Sequence, residues 1–133
     1  MPETYTFGAI VAQPIDVVRV RVEAALKAEG FGILTEIDVA ATLKAKLDLD
    51  RPPYLILGAC NPALADRALD IDPSIGALLP CNVVLRSPDD GSVTIIEIMD
   101  PMVALGIANS AGVAPIATEA AERLRRVLDA VAA

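Results

Sequence analysis

Two cysteines carry the most suggestive chemistry in this chain, and each is followed by an asparagine: Cys60-Asn61 and Cys81-Asn82. Asn61-Pro62 is a helix start, because asparagine caps free backbone amides and proline suits the first turn. A thiol just before a helix N-terminus feels the positive end of the helix dipole, which lowers its pKa. Cys60 is therefore predicted to be the more reactive thiolate, with Cys81 opening a strand. If the two strands are neighbours, the thiols form either a redox pair or a soft-metal site. The thioethers of Met99 and Met102 would then be added ligands for Cu(I). Each cysteine is equally at home as a small buried hydrophobe. No CxxC motif is present, so only the fold can bring the two together.

Carboxylates are the second source of chemistry. In the strand predicted over Ser92–Met99, alternation puts Val93, Ile95, Glu97 and Met99 on one face. Glu97 thus sits among apolar neighbours, where a carboxyl has a raised pKa unless it is paired. Glu36 shares a face with Leu34 in the same way. Asp38 and Asp100 precede helical stretches and are read as N-caps. Asn61 and Asn82 could orient a ligand carbonyl. Tyr54, at a strand start, is either a ligand contact or a half-buried strand residue.

The chain has no histidine. A Ser-His-Asp or Cys-His catalytic arrangement is thereby excluded, as are His-based zinc and non-haem iron sites. The 133 residues carry a formal charge of -7. An acidic surface repels phosphate backbones and anionic lipid, so neither nucleic acid nor a membrane surface is expected as a partner. Arg123, Arg125 and Arg126 are the densest basic cluster, and Glu119 and Glu122 stand near them at helical spacing. No apolar run approaches a membrane span, and no basic stretch precedes an apolar one at the start, which predicts a cytoplasmic protein with free thiols.

These residues need elements to position them. Apolar residues make up 54 % of the chain, with only two Phe, two Tyr and no Trp, so the core is expected to be aliphatic. A strand is predicted over Tyr5–Val11, then a helix to Glu29 with Ile15, Val18, Val22, Ala25 and Leu26 inward. Gly30 and Gly32 stop that helix. A strand over Ile33–Ile37 leads to a helix over Val39–Leu47 with Val39, Leu43 and Leu47 inward. Tyr54–Ala59 is a nearly continuous apolar run, as in a strand covered on both faces. A helix follows to Leu69. Cys81–Arg86 and Ser92–Met99 are joined as a hairpin by the turn Pro88-Asp89-Asp90-Gly91. Asp100-Pro101 opens a short helix. The last helix covers Pro115–Val131 around Ile116, Ala120, Leu124, Val127, Leu128 and Val131. This pattern predicts one α+β domain over residues 1–133, with a mainly antiparallel or mixed five-stranded sheet packed by helices. No Gly-rich phosphate fingerprint supports nucleotide binding.

Several segments together resemble the domain of unknown function 302 family. They are Gly30-Phe31-Gly32-Ile33-Leu34-Thr35-Glu36-Ile37-Asp38; Leu57-Gly58-Ala59-Cys60-Asn61-Pro62; Leu78-Leu79-Pro80-Cys81-Asn82-Val83-Val84; and Ile98-Met99-Asp100-Pro101. The resemblance spans nearly the whole chain. It implies a compact α+β domain with a curved, antiparallel-type sheet akin to that of the TATA-binding-protein fold, and association as a dimer. It brings no established activity and no known cofactor. It maps family motif residues onto Glu36, Asp38, Cys60, Asn61, Pro62, Pro80, Cys81 and Asn82.

Three functions fit this sequence. The first is a non-enzymatic homodimer that binds a small ligand or soft metal near Cys60, Asn61, Cys81, Asn82, Glu36 and Glu97. The second is a thiol-dependent redox protein or enzyme with Cys60 as nucleophile and Cys81 as resolving thiol. The third is an interaction module with no site of its own. No catalytic residue is assigned.

Overall fold

A computed structural model of the chain describes residues 4–88 and 90–132. Among these residues the strands are β1 (Thr6–Val11), β2 (Gly32–Asp38), β3 (Tyr54–Cys60), β4 (Cys81–Arg86) and β5 (Thr94–Met99). The helices are α1 (Ile15–Ala28), α2 (Val39–Leu47), α3 (Pro62–Ile71), α4 (Pro101–Ala104) and α5 (Ala114–Ala132). Short 3-10 turns at Pro73–Leu78 and Leu105–Ala108, which the sequence pattern does not announce, complete the chain. No helix among the described residues is long and apolar enough to cross a membrane.

The strands form one sheet in the order β1-β5-β4-β3-β2, with every neighbouring pair antiparallel. The fold is thus α+β with an antiparallel sheet. The first two strands do not form a βαβ unit, because they lie at opposite edges. The hairpin of β4 and β5 is where the sequence places it, although Asp89 of its turn lies outside the described residues.

Strand alternation sorts the sheet into two faces. Phe7, Leu57, Val83, Leu85, Ile96 and Ile98 point to one side, where they pack with Val18, Val22 and Leu26 of α1 and Leu124, Val127 and Val131 of α5. A second core joins Leu64 and Ala68 of α3, Ile75, Leu105, Val113 and the first half of α5. The opposite face carries Ile10, Ile37, Tyr54, Ile56, Val84, Arg86, Ile95 and Glu97, and each of these stays at least partly exposed.

Helix α2 differs from its expectation. Asp38 caps it, its Oδ1 accepting from the Ala41 amide at 2.9 Å. Yet none of its residues is buried, and Leu47 is 62 % exposed. The helix lies over the edge end of the sheet, against β2 and the start of β3, so the side expected to face inward is only partly covered.

Candidate functional site

The two Cys-Asn dipeptides meet at one end of the sheet. Ala59 pairs with Cys81 across β3 and β4, which makes Cys60 a near neighbour of Cys81. Both cysteines line one cleft with Phe31, Asn61, Leu64 and Pro80. The Leu79-Pro80 peptide beside it is cis. Gly58 is needed here. A Cβ at Gly58 would run into the side chains of Thr35 and Pro80, so only glycine lets β2 and the Pro80 segment close over β3.

Both thiols are free. Cys81 is buried, and desolvation pushes its pKa up to about 11, with the neighbouring Cys60 adding to the rise. Burial raises Cys60 as well. The expected activation of Cys60 by the α3 dipole is therefore overturned. The reason is burial, which desolvates the thiol; the helix end is occupied by Asn61, whose Oδ1 accepts from the Leu64 amide at 3.2 Å. The cleft holds two neutral thiols.

Asn61 does more than cap. Its Nδ2 donates to the Glu29 carbonyl at 3.4 Å, and Arg123 Nη1 donates to the same oxygen at 3.0 Å. That oxygen is at the end of α1, where the chain turns through Gly30 at φ +83°. The Gly30 amide bonds the Lys27 carbonyl and the Phe31 amide bonds the Leu26 carbonyl, a Schellman ending that buries Phe31 against Leu26. A guanidinium at a helix C-terminus is electrostatically favoured. Arg126 completes the corner by pairing with the Glu29 carboxylate at 2.9 Å, rather than with Glu122 at helical spacing. The ties among α1, α3 and α5 that frame the cleft were not visible in the local sequence.

The remaining candidates stand apart from the cleft. Glu36 is exposed and pairs with Arg19 of α1 at 2.7 Å. Glu97 receives Arg86 Nε at 2.6 Å on the open sheet face. Asn82 is exposed at the start of β4, opposite Gly58. Met99 packs against the main core. Met102 is 49 % exposed, accepts from the Thr118 hydroxyl at 3.4 Å and lines a different groove. Asp100 caps α4 through the Met102 amide. Among the described residues, no group of three or more Cys, Asp or Glu side chains is placed to hold a metal ion. No buried side-chain nitrogen or oxygen among them lacks a partner.

Comparison with known proteins fits this architecture. The profile of the "Domain of unknown function DUF302" matches residues 9–131, which contain the cleft and all five strands except the first three residues of β1. The chain belongs to the DUF302 family. Its fold is similar to the crystal structure of an uncharacterized conserved DUF302 protein from Bacillus stearothermophilus. That relative is 31 % identical, with a TM-score of 0.86 over 96 % of this chain and 98 % of the other. No curated protein matches this DUF302 chain.

Proposed function

We propose that this DUF302 domain is a binding protein rather than a catalyst, and that its cleft takes a single soft metal ion of the Cu(I) class through Cys60 and Cys81. The observation that carries this reading is that both thiols line one apolar cleft into which no carboxylate, histidine or basic group intrudes. An acid-base enzyme needs at least one such group within reach of its substrate. A thiol nucleophile needs a lowered pKa, whereas both of these are raised. A soft cation needs only thiolates, and binding supplies the energy to release their protons. Size separates the metal from the alternative of a small molecule. The cleft is about 30 Å³, whereas small-molecule pockets are roughly 300–1,000 Å³. A cytoplasmic setting, where thiols stay reduced, suits this chemistry.

The test is native mass spectrometry of the full chain after anaerobic addition of Cu(I). The expected result is one copper per chain, lost in both Cys60→Ser and Cys81→Ser. Copper retained by both variants, or none bound by the wild type, would overturn the reading.

A second observation supports homodimerisation through the open sheet face. Arg86 and Glu97 are the charged side chains among the residues that alternation places there, and they neutralise each other at 2.6 Å. On a chain of net charge -7 this is a surface on which two copies meet without repulsion. Five strands about 4.8 Å apart and about six residues long give a footprint of about 500 Å². That is less than the roughly 800 Å² per partner of a standard interface, so the rim of the face has to add to the contact. Light scattering with Ile95→Arg tests it: the wild type is expected as a dimer and the variant as a monomer. A monomeric wild type would remove the dimer from this account.

A further inference from the structure

At the end of β3 opposite the cleft, a groove of about 510 Å³ runs between α2 and the sheet. Its walls are Val39 and Leu43 of α2, Pro53 and Tyr54 at the start of β3, and the guanidinium-bearing Arg51 and Arg86. Among the described residues no carboxylate lines it. Arg51 brings a positive charge with no ion-pair partner among the described residues, and Arg86, already paired with Glu97, brings further N–H donors, so the groove favours an anionic group.

Arg86 is held in place for such a role. Its Nε is fixed by Glu97 at 2.6 Å, while Nη1 and Nη2 take no partner among the described residues. A guanidinium anchored through one nitrogen keeps a planar pair of donors whose spacing matches a carboxylate or phosphate edge. Arg51 is exposed and likewise makes no ion pair among the described residues. Tyr54 pairs with Arg86 across the last rung of β3 and β4. It offers a ring for an apolar body beside Val39 and Leu43. Consecutive prolines, Pro52 and Pro53, stiffen the near wall.

We propose that this groove binds a small organic oxyanion, a carboxylate or phosphate head on a short apolar or aromatic body, with Arg51 and Arg86 receiving the head and Tyr54, Val39 and Leu43 receiving the body. The groove's volume lies in the range of small-molecule sites. Tyr54 and Arg86 also belong to the open sheet face, so ligand in the groove and a second copy packed over that end of the face compete for the same side chains. The proposal is independent of metal binding at the cysteines.

Amide chemical-shift mapping on the full chain tests it with three probes: benzoate, phenyl phosphate and the neutral isostere benzamide. Benzoate or phenyl phosphate is expected to move the amides of Leu43, Tyr54 and Ser87, and benzamide to leave them in place. Whichever anion binds tighter identifies the head group. Arg51→Gln, at an exposed side chain with no partner among the described residues, is expected to weaken binding about tenfold. Lys27→Gln, which removes an exposed cation at the far end of α1, is expected to leave it unchanged. No shift by either anion at about 10 mM, equal shifts with benzamide, or undiminished binding by Arg51→Gln would each overturn the proposal.

Discussion

The two faces of the sheet use the same side chains to different ends. On the helical face Leu57, Val83, Leu85, Ile96 and Ile98 are all at most 1 % exposed. On the other face Ile56, Val84 and Ile95 remain partly exposed, and Ile10 is 65 % exposed. Strand β3 is apolar on both sides of its pleat, the pattern of a strand covered twice. One chain covers it once. The difference teaches that apolar patterning alone does not say which face a chain covers, whereas charge does: the open side carries the balanced Arg86–Glu97 pair, whereas the inward-facing side chains of the central strands carry no charge.

The contrast can be broken in order of expected effect. Leu57→Ala, at the centre of the covered face, is expected to cost about 3 kcal/mol or more, from lost burial and the cavity left behind. Urea denaturation reads it directly, and the loss should not depend on protein concentration. Ile56→Ala, one residue along and on the other face, is expected to cost less than about 1 kcal/mol at high dilution. Its penalty should grow with concentration if a second copy covers it. Equal, concentration-independent costs at the two positions would erase the distinction.

The cleft end yields a pH effect of similar size. The Cys81 pKa is raised in the folded chain, so its neutral form is the stabilised one. That stabilisation is complete below the ordinary thiol range and is lost as pH rises through about 11. Stability is therefore expected to fall between roughly pH 9 and 11, by about 3 kcal/mol at most. Cys81→Ala should flatten that part of the profile. A wild-type profile no steeper than the variant's would show that Cys81 is not desolvated as described. The smallest effect belongs to the corner beside it. Asn61→Ala removes the α3 cap and one tie to α1, and about 1 kcal/mol is expected from denaturant midpoints. A neutral result would move the weight of that corner onto Arg123.

Much of the fold was legible because its signals are local. Asp38, Asn61 and Asp100 each cap the helix that follows. The inward stripes of α1 and α5 match the helical period. The strand order was not legible, since β1 and β5 meet through contacts about ninety residues apart in sequence. Helix α2 shows the same limit from the other side. Val39, Leu43 and Leu47 have the spacing of a buried stripe, but only the position of β2 at the sheet edge decides that they stay near the surface. At the candidate site, the sequence singled out Cys60 and Cys81, and the pairing of Ala59 with Cys81 brings them together. It misjudged the Cys60 pKa, because the dipole argument is local whereas desolvation depends also on Phe31 and Pro80, which line the cleft from two other segments. Glu97 looked exceptional in its own strand. Its partner, Arg86, stands on the neighbouring one.

The central claim is that Cys60 and Cys81 act together on one soft ion. X-ray absorption at the copper edge of the Cu(I)-loaded protein tests it most directly. The account predicts a first shell made of both thiolate sulfurs, with the signal reduced to weak, heterogeneous binding in Cys81→Ser. A first shell of oxygen and nitrogen in the wild type, or an unchanged sulfur shell in Cys81→Ser, would contradict it.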